Sequence, residues 1–335
     1  MGEFELIERF FGAKAARVPG QPERIALGIG DDCALLQPAP GQQLAISTDM
    51  MLEGRHFLPD VDPAALGHKA LAINLSDLAA MGAEPLAFTL ALALPPERAA
   101  DAAWLDAFSD GMLALAEAHQ CALIGGDTTA GPLALSVTVF GQVPAGQALR
   151  RDGARAGDDL WVSGTLGAAR LALGARRAEW TLAPDVLAAA EARMDRPTPR
   201  VALGQALRGL AHSAIDISDG LLGDVGHILK ASRVGATIDA ALVATLLPCA
   251  PTAIAADDLP GTEIGLRVVL SGGDDYELAF SAPAAARPAV EAAARRAGTR
   301  VTRIGQLRRE PGLQLLGAQG RPLDTSTFRS FDHFA

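Results

Sequence analysis

Ser213-Ala-Ile-Asp-Ile-Ser-Asp-Gly-Leu-Leu-Gly-Asp-Val-Gly-His-Ile-Leu-Lys-Ala-Ser232 holds a strand, a turn and a helix in one run. Residues 214–217 read as a buried strand, Asp219-Gly220 breaks it, and 221–232 spaces its apolar residues as a helix does. Outward from this unit, strands are expected at 160–163, 266–270, 276–280 and 301–305. Helices are expected at 166–173, 183–194 and 200–211, and the Ala-rich stretch 288–296 has proline suited to a first helical position. The first half opens with an amphipathic helix at 4–11, then a strand at 44–48 ending in Asp49 and a helix over 63–81. Leu71, Leu75 and Leu78 form one apolar stripe of that helix, with Asn74 and Asp77 on the neighbouring stripe. A strand at 86–94, a helix at 97–119 and strands at 121–124 and 133–143 follow, with Gly125-Gly-Asp127 in the turn between the last two. The Gly- and Arg-bearing stretch 144–157 reads as a linker, giving domains 1–145 and 146–335. Helices and strands alternate without the uniform period of a barrel, so the expected class is α/β: two domains, each a mixed sheet covered by helices.

Four loops repeat the design of glycine beside one or two aspartates: Gly28-Ile-Gly-Asp-Asp32, Gly125-Gly-Asp127, Asp216-Ile-Ser-Asp-Gly220 and Gly272-Gly-Asp-Asp275. Asp49 and Asp77 add two acids, at a strand end and a helix edge. Glycine lets the backbone approach a ligand closely, and a short Asp keeps its carboxylate near that backbone. Carboxylate oxygens suit hard cations such as Mg²⁺, which bridges acids to substrate phosphates. Any one such loop is more often an Asp-Gly turn. The set favours a metal, because acids gathered without one repel each other.

Composition agrees. The 335 residues are 49% hydrophobic, 20% charged and only 4% aromatic, ordinary globular material whose length suggests two domains. Lys and Arg number 29 against 39 Asp and Glu, a net charge of −10 with no basic cluster, which argues against a nucleic-acid partner. An acidic protein handling phosphates needs cations between the two. Cys33, Cys121 and Cys249 match no zinc or redox spacing. The charged N-terminus resembles no signal peptide and no apolar run is long enough for a membrane span, so a soluble, cytoplasmic protein is expected. No P-loop is present, and Cys33 stands where a dinucleotide fingerprint needs its third glycine. The six histidines form no metal pair.

The loops in this order resemble the thiamine-monophosphate kinases of the superfamily that includes aminoimidazole-ribonucleotide and selenophosphate synthetases. The motifs are Gly28-Ile-Gly-Asp-Asp-Cys-Ala-Leu-Leu36, Ala45-Ile-Ser-Thr-Asp49, Asn74-Leu-Ser-Asp-Leu-Ala-Ala-Met-Gly82, Leu123-Ile-Gly-Gly-Asp-Thr-Thr129, Ser213-Ala-Ile-Asp-Ile-Ser-Asp-Gly220 and Ser271-Gly-Gly-Asp-Asp-Tyr-Glu-Leu278. The resemblance implies a homodimer formed through the N-terminal halves, and ATP-dependent phosphorylation of thiamine monophosphate to thiamine diphosphate. It assigns several Mg²⁺ ions to Asp32, Ser47, Thr48, Asp49, Asp77, Asp127, Asp216 and Asp219. ATP falls to Gly126, Asp127, Arg151 and Ser218, and the thiamine end to His56, Asp274 and Phe331. The N-terminal domain would bind ATP and Mg²⁺ and dimerise, and the C-terminal domain would complete the site. At Asp274 such kinases often carry Glu, so the carboxylate here has a shorter reach. At Phe331 they often carry Tyr or Trp, and Phe keeps the stacking face without the polar handle. Phe328 competes for that aromatic role.

Direct in-line transfer is the expected mechanism, with no covalent or general-base residue. The competing readings are an ATP-dependent synthetase of the same superfamily, a non-catalytic Mg-nucleotide scaffold, and a metal-dependent phosphatase.

Overall fold

The computed structural model describes residues 2–18, 20–326 and 328. The chain divides into two compact units, Met1–Leu78 with Ala83–Gly146, and Ala79–Gly82 with Gln147–Ala335.

In the first unit α1 (Glu3–Ile7) runs through a π-helical turn, Glu8–Gly12, into α2 (Ala13–Ala15). The short strands β1 (Ile25–Leu27) and β2 (Leu35–Leu36) pair antiparallel. After them come β3 (Gln42–Leu52), α3 (Pro63–Ala80), β4 (Glu84–Leu94), α4 (Pro96–Ala99), α5 (Ala102–Ala118), β5 (Ala122–Ala130) and β6 (Ala134–Pro144). The helix expected at 97–119 is two, because Asp101 accepts the Trp104 N–H at 3.0 Å and starts α5 afresh. The four-stranded sheet has the order β3-β6-β4-β5, antiparallel except for the β4–β5 pair. One of its faces carries Met51, Val137, Val139, Phe88 and Leu90, all buried. Leu44, Ile46, Met50 and Leu52 of the edge strand β3 point the other way and are exposed, Ile46 to 60%.

Two sequence expectations change here. Asp49 lies inside β3, not at its end. Gly125-Gly-Asp127 lies inside β5 rather than in a turn, pairing in parallel register with Thr89, Leu90 and Ala91. Glycine runs read as turns from sequence alone. Here Gly126, at φ 153°, lets β5 pass so close to β4 that a Cβ would stand 1.9 Å from the Leu90 carbonyl oxygen.

The second unit is built on β7 (Asp158–Ser163), α6 (Ala168–Arg176), β8 (Thr181–Leu182), α7 (Pro184–Asp195), α8 (Val201–Leu207), β9 (Ser213–Asp216), α9 (Leu221–Ser232) and β10 (Gly235–Asp239). It continues with α10 (Ala240–Ala244), β11 (Ile254–Ala255), α11 (Gly261–Ser271), β12 (Leu278–Pro283), α12 (Arg287–Arg296), β13 (Val301–Arg308), β14 (Gly312–Leu316) and β15 (Pro322–Leu323). Seven strands form one sheet in the order β15-β14-β10-β13-β7-β12-β9, in which only β10 and β14 run parallel. Leu160, Val162 and Ile215 of the sheet meet Leu171 of α6, Val225 and Ile228 of α9, and Ile264 and Val268 of α11 in one buried core. The strand expected at 266–270 is therefore the end of α11. Ile264 and Val268, one turn apart, face that core, while Arg267 stays on the surface and pairs with Glu263 at 2.8 Å.

Candidate active site

The first unit gathers oxygen atoms where β3 lies beside α3. The Asp49 N–H on this edge strand donates to the side-chain oxygen of Asn74 at 3.1 Å, and Asn74 in turn donates to the Ala70 carbonyl at 3.0 Å. Asn74 is buried, so its amide is fixed by these two bonds. Two residues before Asp49, and on the same face by the strand period, the Ser47 hydroxyl donates to Asp77 Oδ2 at 2.5 Å. Ser47, Asp49 and Asp77 are thus brought together. Thr48 points to the other face, where its hydroxyl meets that of Thr138 at 2.8 Å. Asp127 belongs to that other face too: it pairs with Ala91, Ala91 with Ser136, and Ser136 with the exposed Met50.

Asp32 is exposed in the β1–β2 turn, its N–H donating to Asp31 at 2.9 Å. His56 follows β3, and its Nδ1 accepts the Leu52 N–H at 3.0 Å, which leaves Nε2 to carry the proton of the neutral ring.

In the second unit two loops are laced together. The Asp274 N–H donates to the Ser218 carbonyl at 2.7 Å, Tyr276 N–H to Ile217 at 2.9 Å, and Ile217 N–H to Glu277 at 2.8 Å. Asp274 and Tyr276 both hold left-handed backbone, φ 61° and 53°, a conformation that strains a non-glycine residue and marks functional loops. Asp216 is buried at the end of β9, while Ser218 and Asp219 are half-exposed in the turn beyond it. The buried Asp224 carboxylate accepts the N–H groups of Ser218, Asp219 and Gly220. Burial first, and the Asp219 charge second, push its pKa up to about 7 against the pull of those three bonds. Asp275 is buried as well and accepts the Gly167 N–H with both oxygens, at 2.9 and 3.0 Å. Burial holds its carboxyl well above the usual range.

Glu277 is fully buried beneath these loops. It takes Arg200 through Nε at 2.6 Å and through Nη2, Arg193 at 3.2 Å, and the Ser163 hydroxyl at 2.5 Å. Arg151 sits in a single 3₁₀ turn whose carbonyl accepts the Ser232 hydroxyl at 2.7 Å, and its side chain is exposed. Phe328 packs against the second unit's core. Phe331 lies outside the described residues.

Among the described residues, no three His, Cys, Asp or Glu side chains are gathered so as to hold a metal. The chemistry of the donors is nonetheless suited to a hard cation, since Ser47, Asp49 and Asp77 offer oxygen alone. Sequence reasoning did not single out Asp224, Arg193 or Arg200. For Asp224 a signal existed: an acid in the first turn of a helix that begins at Asp-Gly.

Residues 30–143 match the family described as AIR synthase related protein, N-terminal domain, and 155–317 match its C-terminal domain. Over 337 aligned residues the chain is 48% identical to the thiamine-monophosphate kinase of Escherichia coli strain K12, covering 100% of this chain and 98% of that one. The chain belongs to the thiamine-monophosphate kinase family. A crystal structure of thiamine-monophosphate kinase from Stenotrophomonas maltophilia K279a is 44% identical, with a TM-score of 0.81 over 94% of this chain and 98% of that one. AaThiL complexed with AMPPCP and TMP is 26% identical, with a TM-score of 0.71 over 100% and 99% of the two chains. Membership in this family accords with the two mixed sheets described above. No described helix is long and apolar enough to cross a membrane.

Proposed function

We propose that the chain transfers the γ-phosphoryl group of ATP to thiamine monophosphate, giving thiamine diphosphate and ADP as the last step in forming that cofactor. The observation that carries this reading is the 48% identity to a thiamine-monophosphate kinase along the whole chain. The relative that holds AMPPCP and TMP together supports it, because direct transfer needs nucleotide and acceptor side by side.

An oxygen of the acceptor phosphate forms the new bond to the γ-phosphorus. The bond from that phosphorus to the β,γ-bridging oxygen breaks, and ADP leaves with the electron pair. A phosphate monoester with a second pKa near ~6 is already mostly ionised at neutral pH, so no side chain has to remove a proton. The protein's task is to position two phosphates and tolerate their charge.

We assign the nucleotide to Gly126, Asp127, Arg151 and Ser218, with the Arg151 guanidinium offering a forked phosphate contact. His56, Asp274 and Phe331 are assigned to the thiamine end. Ser47, Asp49 and Asp77 at one face of the first unit's sheet, Thr48 and Asp127 on its other face, Asp32 in the β1–β2 turn and, in the second unit, Asp216 and Asp219 are the groups assigned to Mg²⁺ ions. Bound there, Mg²⁺ would neutralise phosphate charge. The exposed Leu44, Ile46, Met50 and Leu52 support a homodimer formed through the first unit. Three cysteines without a disulfide among them support a reducing cytoplasm.

A coupled ADP assay with thiamine monophosphate, with thiamine and with no acceptor tests the reading. ADP should form only with the monophosphate. Turnover with thiamine alone, or phosphate release without acceptor, would sink it.

A further inference from the structure

The turn that carries Ser218 and Asp219 is fixed from two sides. On its carbonyl side the loop 272–277 donates from Asp274 to Ser218 and from Tyr276 to Ile217. On its amide side a single oxygen, Asp224 Oδ2, accepts the N–H groups of Ser218, Asp219 and Gly220, each at 3.1 Å. Gly220 makes that convergence feasible. Its φ of 115° swings its N–H inward, and a Cβ there would stand 2.9 Å from the Ser271 backbone.

This has a chemical consequence. Three converging N–H groups at the start of a twelve-residue helix would ordinarily be a place to seat a phosphate. Here the helix's own carboxylate already fills it. The turn therefore offers a ligand the side chains of Ser218 and Asp219, not its backbone.

We propose that Asp224 is a positioning residue for the nucleotide: it locks the backbone of 218–220 so that the Ser218 hydroxyl and Asp219 carboxylate meet Mg-ATP in one fixed geometry. This rests on the assignment of Ser218 and Asp219 to ATP and metal made above. An ordinary helix cap would support stability alone. A positioning residue must also affect nucleotide affinity selectively.

Asp224→Asn keeps an acceptor oxygen at the same reach and removes the charge. Asp224→Glu keeps the charge and displaces the oxygen by one methylene. The full-length protein and both variants are titrated with Mg-AMPPCP by calorimetry, and KM is measured for ATP and for thiamine monophosphate beside Tm. Asp224→Asn should bind within ~3-fold of the unaltered protein. Asp224→Glu should bind ~10-fold or more weakly, since a lost preorganised geometry must be restored on binding. The acceptor KM should change less than ~2-fold in either, the signature of a contact made only through the nucleotide. Nucleotide affinity unchanged in Asp224→Glu, or equally weak in both variants, overturns the proposal. So does a matched rise in both KM values that merely tracks a fall in Tm. Calorimetry with Mg-AMPPCP is independent of the acceptor, so failure to phosphorylate thiamine monophosphate would count against the proposed reaction and leave this test standing.

Discussion

Replacing Glu277 by Gln probes the support beneath the two laced loops. The carboxylate is completely buried, and three side chains converge on it: Arg200, Arg193 and Ser163. Removing one member of a buried ion pair costs about 3–5 kcal/mol, because the partner charge is left without its counter-ion. Arg200 and Arg193 retain 18% and 26% of their side-chain exposure, so water can recover part of that loss. The lower end of the range, about 3 kcal/mol, is therefore expected. For a unit of about 150–250 residues this corresponds to a fall of roughly 6–12 °C in Tm. Thermal unfolding followed by circular dichroism measures it, and a urea series should show a lower midpoint with an unchanged slope. Arg193→Lys should lose far less, because Arg193 reaches Glu277 through one longer contact of 3.2 Å. A Glu277→Gln protein that melts within ~2 °C of the original would refute the claim that this carboxylate anchors the loops.

Gly126→Ala should lose about 3 kcal/mol or more, since the new methyl would meet the Leu90 carbonyl oxygen at 1.9 Å and β4 and β5 would have to part; an unshifted denaturation midpoint would contradict that packing. Asp159 is held below the usual carboxylate range, first by its hydrogen bond from Arg287 and then by the Arg287 and Arg303 charges, with burial opposing. Its folded pKa is thus lower than its unfolded one, so its contribution is complete above about pH 4 and is lost as pH falls towards the folded value. Asp159→Asn should accordingly be less stable than the unaltered protein at pH 7, with the gap closing in acid, as read from unfolding midpoints across pH. Ile46→Asp places a charge on the exposed face of β3. If the proposed homodimer forms through that face, the variant should sediment as a monomer where the unaltered protein sediments as a dimer, with the stability of the monomer changed by less than about 0.5 kcal/mol. A variant that still sediments as a dimer would remove this face from the interface.

Much of the fold was legible because most helices and strands repeat their apolar residues at the expected period. Leu71, Leu75 and Leu78 announce α3, and the run 213–232 yields a strand, a turn and a helix close to their observed bounds. The failures have specific causes. Leu266-Arg-Val-Val-Leu270 is a short apolar run, which periodicity alone cannot divide between strand and helix, and the core contact of Ile264 one turn upstream decides it. Gly125-Gly-Asp127 carries turn residues but is held straight by its parallel neighbour, so only the tertiary pairing reveals a strand. Where Thr48 and Ser47 point follows from strand alternation once β3 is known to run through Asp49 rather than to stop at it.

The acids of the candidate site were legible as a set, but their division of labour was not, because like residues in like loops take opposite roles. Asp219 and Asp224 lie five residues apart and both are acids near one turn. Asp219 is left half-exposed, able to meet a cation. Asp224 turns its carboxylate inward on three backbone N–H groups and is spent on the protein's own architecture. The same split recurs at Asp274 and Asp275. The first stands half-exposed on strained backbone, and the second is buried against Gly167. Each of these two loops thus sets an outward-facing acid beside a buried one that accepts backbone N–H groups, those of its own turn at Asp224 and that of the distant Gly167 at Asp275. At Asp224 the shortness of aspartate matters, because a longer Glu would overreach the N–H groups that Asp meets from one turn away.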